Sequence, residues 1–101
     1  MADVWTHGNW TVKPGREAEF VAAWKEMLEL ATADPGIPDS SPTLLRDRDQ
    51  PNVFVSFGPW PDAGAVARFR ASDVFRAGVD RMQELLESFE TQTLDEVHPG
   101  G

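Results

Sequence analysis

The segment VFVSFGPW, residues 53–60, decides the fold. Alternate residues of an extended chain face opposite sides, and one side here carries Val53, Val55 and Phe57. The other side carries two aromatic and two small residues: Phe54, Trp60, Ser56 and Gly58. Apolar side chains on both faces are typical of a strand that is covered on both sides. The segment is therefore predicted to be a central strand, and the fold must cover both of its faces.

Three elements are predicted before this strand. A short strand over 43–47 precedes it across the polar turn 48–52, and this spacing indicates an antiparallel hairpin. Further upstream, a strand over 4–13 is followed by a helix over 17–33. The apolar stripe of that helix consists of Phe20, Trp24, Met27, Leu28 and Ala31.

The prediction after the central strand is two helical stretches and a last strand. The first stretch begins at Pro61, and the second begins at an N-cap, Ser72, with an apolar stripe that runs to Leu86. The last strand is predicted over 90–97. The order β-α-β-β-α-β is typical of the ferredoxin-like motif, a four-stranded antiparallel sheet with helices on one face. The prediction is a single α+β domain over residues 1–101.

The second face of the sheet needs a cover that one layer of helices cannot provide. The row Val53, Val55 and Phe57 would otherwise be exposed to water on a monomer. A second copy of the same sheet is the simplest cover, because twofold dimers are the commonest oligomers. We therefore expect a homodimer.

Composition excludes several classes of function. The net charge of −8 disfavours nucleic acid and anionic membrane surfaces as partners. The absence of cysteine excludes thiolate chemistry and iron–sulfur clusters, and it favours a cytoplasmic location. No segment has the pattern of a signal peptide or of a membrane span. Neither a metal-ligand spacing nor a phosphate-binding loop is present, so we expect no metal and no cofactor.

Two segments resemble the antibiotic biosynthesis monooxygenase family of the dimeric α/β-barrel superfamily. They are KPGREAEFVAAW, residues 13–24, and PNVFVSFGPWPDAGAVARFRASDVFRAGVDRM, residues 51–82. The resemblance implies a fold in which two ferredoxin-like sheets pack face to face as a barrel. It also implies one of several activities, since some members oxygenate aromatic polyketides or quinols with O2 and no cofactor. Others degrade haem, cyclise polyketides, or have no known activity.

The resemblance carries over to individual residues only in part. Trp60 matches a pocket-lining tryptophan at the end of the third strand, and Ser56 stands where these members have a polar pocket residue. The tyrosine of the polyketide-oxygenating members has no counterpart, because the matching stretch 65–67 is apolar and the chain has no Tyr. The haem-ligating histidine is also missing from the stretch 76–79, which argues against haem degradation.

Cofactor-free oxygenation requires an apolar pocket, a base, and donors that hold the developing negative charge. The aromatic residues expected to line the pocket, or alternatively to fill the core, are Phe20, Trp24, Phe54, Trp60, Phe69 and Phe75. His7 is the candidate base, because an unperturbed imidazole changes charge near neutral pH; otherwise it is a partly exposed strand residue. Asn9 lies on the same strand face and could hold a substrate oxygen.

Three functions remain open from the sequence. The first is a cofactor-independent monooxygenase acting on a small aromatic polyketide or quinol, with His7 as base and with Trp60 and Ser56 orienting the substrate. The second is a cyclase or isomerase with the same pocket but no need for O2. The third is a non-catalytic dimer that binds a small molecule, which the missing tyrosine favours. The sequence does not identify the substrate.

Overall fold

The computed structural model describes residues 4–37 and 42–98. The strands are β1 (Val4–Val12), β2 (Thr43–Arg46), β3 (Val53–Trp60) and β4 (Leu86–Asp95). The helices are α1 (Glu17–Ala33), α2 (Ala63–Arg70) and α3 (Asp73–Gln83). The order of elements is the predicted one, and the second helical region is divided into two helices, as the N-cap at Ser72 indicated.

All strands join one antiparallel sheet in the order β2-β3-β1-β4. The hairpin of β2 and β3 forms one edge, and β1 lies between β3 and β4. This is the ferredoxin-like arrangement, so the predicted α+β fold is confirmed. The two central strands, β1 and β3, present their even-numbered residues to the helices.

The core forms where α1 packs on these even-numbered residues. Phe20 is fully buried, with its ring centroid 5.8 Å from that of Trp10 and 5.1 Å from that of Phe54. Trp10 stacks in turn on Phe89 of β4 at 5.5 Å. This aromatic cluster spans β3, β1 and β4 at one end of the sheet, and it holds α1 against them through apolar burial.

The last strand begins earlier than predicted, and α3 ends earlier. The apolar stripe of α3 continues in sequence through Leu86, but the helix stops at Gln83 and Leu86 pairs with Val12 in the sheet. A backbone hydrogen bond joins this segment to the end of β1, since the Lys13 N–H donates to the carbonyl of Leu85 at 2.8 Å. Ladder pairing therefore overrides the helical spacing of these two leucines.

The start of α3 depends on its cap, and this gives a first test. The Ser72 hydroxyl accepts from the Phe75 N–H at 3.2 Å and donates to the carbonyl of Phe69 at 2.6 Å, which joins α2 to α3. We expect Ser72→Ala to lower the free energy of unfolding by about 1 kcal/mol, measured by urea denaturation. Ser72→Thr keeps both bonds and should be close to wild type. Equal stability of the alanine variant would contradict this role.

The opposite side of the sheet carries no helix, and we call it the open face. Its members come from all four strands: Leu45, Val53, Val55, Phe57, Trp5, His7, Asn9 and Leu94. Three of the five large hydrophobic residues that are exposed in the described structure lie here: Leu45, Phe57 and Leu94. Of the row 53, 55 and 57, Phe57 is exposed and the two valines are partly buried, and no described helix covers them. Among the described residues, no helix is long and apolar enough to cross a membrane.

Candidate functional site

A cavity lies between the helices and the helix-covered side of the sheet. Centres of water-sized molecules can occupy about 90 Å³ of it, which is room for several waters, since one water needs about 10–15 Å³. Its wall is mostly apolar, with contributions from α1, α2, α3 and the segment around Ile37. An apolar pocket with a few polar groups is the usual form of a small-molecule site.

The floor of the cavity is built by β1 and β3 from two tryptophan–hydroxyl pairs. Trp60 donates its indole N–H to the Thr6 hydroxyl at 2.9 Å. Trp10 donates its indole N–H to the Ser56 hydroxyl at 2.9 Å. Each pair joins the two central strands, so the two hydroxyl oxygens are held at fixed positions on the sheet.

These hydrogen bonds leave the hydroxyl hydrogens of both residues available. An indole nitrogen only donates, whereas a hydroxyl donates once and accepts twice. Neither Thr6 nor Ser56 donates to any acceptor within the described residues. Two hydroxyl groups whose hydrogens are free to donate therefore border an apolar cavity, where a hydrogen bond to a negatively charged oxygen is stronger than in water.

Gly8 makes room for one of these pairs. It lies opposite Ser56 in the β1–β3 register and lines the cavity floor. A Cβ at this position would lie 2.7 Å from Trp10 Nε1 and 2.8 Å from Ser56 Oγ. Any side chain here would therefore collide with both members of the Trp10–Ser56 hydrogen bond.

Five of the residues predicted for the site line this cavity together: Trp24, Ser56, Trp60, Phe69 and Phe75. The rings of Trp60 and Phe69 lie 5.3 Å apart, and those of Phe69 and Phe75 lie 5.1 Å apart. Phe20 and Phe54 do not line the cavity; they fill the core at its end, as the alternative interpretation of the aromatic stripes had it. The predicted roles in substrate binding stay predictions.

The side chains of His7 and Asn9 lie on the opposite side of the sheet from Trp60. Strand alternation places their side chains on the open face, while Thr6 and Trp60 share the helix-covered face. His7 borders the cavity floor along β1, but its side chain projects away from it. Its Nδ1 is buried and has no hydrogen-bond partner among residues 4–37 and 42–98. A base at this position cannot reach a molecule in the cavity of its own chain.

Sequence reasoning did not single out Thr6, Gly8 and Trp10 as functional residues. They are alternate residues of β1 and share one face of the strand with Val4 and Val12. The signal that could have found them is this alternation, because it places them on the same side of the sheet as Ser56 and Trp60 of β3. Only the register between β1 and β3 shows that each hydroxyl meets the indole of the other strand. Arg70 also lines the cavity, and the other lining residues that the structure describes carry no carboxylate. Across residues 4–37 and 42–98, no cluster of His, Asp or Glu could hold a metal ion.

Comparison with known proteins points to one family. The sequence model of the antibiotic biosynthesis monooxygenases matches residues 4–81, which include every cavity-lining residue except Thr91. The structure of SnoaB, a cofactor-independent oxygenase from Streptomyces nogalater, is similar with a TM-score of 0.83 and 25% identity, over 98% of this chain and 97% of that chain. A conserved protein from Methanosarcina mazei shares the fold with a TM-score of 0.80 and 21% identity, over 95% of this chain and 94% of that chain. No curated protein matches the sequence significantly.

Proposed function

The chain belongs to the antibiotic biosynthesis monooxygenase family, and we propose that it oxidises a small aromatic polyketide or quinol with O2 and without a cofactor. The observation that carries this proposal is the pair of hydroxyl donors on the floor of an aromatic cavity. The similarity to SnoaB, which is described as a cofactor-independent oxygenase, supports the same class of reaction.

The reaction draws its electrons from the substrate. The CH2 group of an anthrone-type polyketide, or the O–H group of a quinol, loses a proton, and the resulting enolate or phenolate transfers an electron to O2 to give a radical and superoxide. These combine as a C–O bond at the CH2 carbon of the anthrone or at a ring C–H carbon of the quinol, the peroxide is protonated, and loss of water leaves a carbonyl at that carbon. One oxygen atom enters the product and the other leaves as water, so the four electrons are balanced without a cofactor.

The proposed role of the protein is to stabilise the enolate. The Ser56 and Thr6 hydroxyls donate to its oxygen, and the aromatic wall of Trp60, Phe69 and Phe75 excludes water and stacks on its rings. Among the described residues on the helix-covered side, no carboxylate or imidazole side chain is placed to take the proton. We therefore propose a substrate whose own C–H or O–H is acidic enough to lose its proton to solvent as it enters the cavity, where the anion is then stabilised.

We further propose that the protein is a cytoplasmic homodimer. The exposed apolar residues of the open face support the dimer, since a second copy would cover Phe57, Leu45 and Leu94. In a face-to-face dimer, His7 would lie at the interface between the two sheets. The absence of cysteine from the sequence supports the cytoplasmic location.

Oxygen uptake with a panel of anthrones and hydroquinones in metal-free buffer tests the function. We expect Thr6→Val and Ser56→Ala each to slow uptake by about tenfold, because a hydrogen bond to a charged oxygen is worth roughly 1.5–3 kcal/mol. Thr6→Ser keeps the hydroxyl and should retain the rate. Uptake no faster than the uncatalysed reaction for every compound would refute the proposal.

Thr32→Val is the matched control for Thr6→Val. The Thr32 side chain also lines the cavity, but its hydroxyl donates to the carbonyl of Leu28 at 2.9 Å and is not available to a substrate. The same substitution at this site should leave uptake within about twofold of wild type. An equal loss in both variants would show that the effect is one of packing and not of charge stabilisation.

The same two hydroxyls would also stabilise the enolate of a cyclisation or isomerisation, which is the second candidate. Anaerobic incubation separates the two, because the oxygenase has no electron acceptor without O2. Product formation that persists under argon would favour the cyclase. Binding without turnover in either atmosphere would favour a non-catalytic binding dimer.

A further inference from the structure

Arg70 borders the aromatic cavity, and none of the described residues pairs with its charge. Arg70 lies in the last turn of α2, is half-buried, and lines the cavity beside Phe69 and Phe75. Within the described residues it has no ion pair and no hydrogen bond to its side chain. The only other half-buried arginine, Arg16, is paired with Glu19 at 2.8 Å.

This absence of a partner is unusual in a chain so rich in acids. The protein has 17 acidic residues against nine basic ones, yet none of the described carboxylates forms an ion pair with Arg70. A half-buried guanidinium has lost part of its hydration, and that loss is uncompensated until an anion binds. The wall around it is apolar, so the electrostatic attraction between Arg70 and a bound anion would be stronger there than in water.

We propose that the cavity binds aromatic molecules that carry a carboxylate or another anionic group, with Arg70 holding the anion. The aromatic rings then lie along Trp60, Phe69 and Phe75, and the reacting oxygen lies over the hydroxyls of Ser56 and Thr6. A guanidinium suits this role because its planar donors match a carboxylate with two hydrogen bonds. This assignment names the substrate class of the proposed oxygenase and rests on the same cavity.

Binding can be measured without turnover. The probes are an anthraquinone carboxylate and the matching carboxamide, which have the same rings and do not react with O2. Calorimetric titration gives the affinity, and quenching of tryptophan fluorescence reports occupancy, because Trp10, Trp24 and Trp60 all line the cavity. Wild-type protein should bind the carboxylate about tenfold more tightly than the carboxamide.

Arg70→Gln should remove this preference by weakening carboxylate binding about tenfold while leaving carboxamide binding unchanged. Arg70→Lys should keep part of it, since the charge remains and the bidentate geometry is lost. The matched control is Arg68→Gln, which removes the same charge from an exposed position two residues away on α2 and should behave as wild type. An equal loss for both probes in Arg70→Gln, or the same loss in Arg68→Gln, would overturn the proposal.

Two outcomes separate this inference from the proposed activity. Carboxylate binding that depends on Arg70, without oxygen uptake by any compound, would leave the anion site standing and refute the oxygenase. Rapid uptake with neutral anthrones that Arg70→Gln leaves unchanged would support the oxygenase and refute the anion site. Failure of both probes to bind at millimolar concentration would also refute it.

Discussion

A Gly8→Ala variant is expected to lose at least about 99% of the oxygen uptake, a hundredfold effect of the size that misplacing catalytic groups by about 1 Å produces. The added Cβ would lie 2.7 Å from Trp10 Nε1 and 2.8 Å from Ser56 Oγ. Both groups are held in the central strands, so the indole and the hydroxyl must separate and their hydrogen bond breaks. The overpacked floor should also reduce the free energy of unfolding by about 1–3 kcal/mol.

Near-ultraviolet circular dichroism checks this prediction independently of activity, because displacement of Trp10 changes its stacking on Phe89. Gly64→Ala is the control, because it adds the same methyl group at an exposed position in α2. The nearest atom to the added Cβ would be Asp62 Oδ1, at 3.1 Å. That variant should keep both activity and stability. A folded Gly8→Ala protein with full uptake would show that the reaction does not occur over this floor.

Replacing Phe57 with aspartate is expected to convert the protein from a dimer to a monomer. Phe57 lies in the centre of the open face, with its ring centroid 6.4 Å from that of Trp5. An unpaired charge buried at an interface costs about 3–5 kcal/mol, and a twofold interface contains it twice. Sedimentation equilibrium should show the mass of one chain over a concentration range in which the wild type is dimeric.

Leu30→Asp provides the matched control for this variant. Leu30 is likewise a large exposed hydrophobic residue, 52% exposed, but it lies on α1 and away from the open face. Its replacement should leave the dimer intact. If Phe57→Asp stayed dimeric, or if the wild type were a monomer, the open face would not be the dimer interface.

The fold follows from local patterns that act over a few residues. The alternation of side chains predicted the central strand with the correct first and last residues, 53 and 60. The apolar stripe of Phe20, Trp24 and Met27 predicted α1 over its full length. These signals are reliable because the period of the hydrophobic residues is set by backbone geometry alone. The start of β4 was predicted four residues too late, since the pairing of Leu86 with Val12 is a contact between the two ends of the chain.

The candidate site was predictable only in part. Trp60 and Ser56 share one face of one strand, so alternation within β3 was sufficient to bring them together. His7 could be assigned to one set of alternate residues in β1, but the sequence does not say which set faces the helices. Trp5 and Trp10 lie on opposite faces and are similar in character, so hydrophobicity could not decide between them.

The sequence by itself therefore determined the order of elements, the apolar character of both faces of the central strand and the aromatic character of the helix-covered side. Only the tertiary structure decided which hydroxyl meets which indole, why Gly8 must lack a side chain, and that Arg70 borders the cavity with no partner among the described residues. The physical reason is the range of the interactions. Periodicity expresses backbone geometry within one element, whereas a site is a set of contacts across β1, β3 and α2, and their register depends on how the whole core packs.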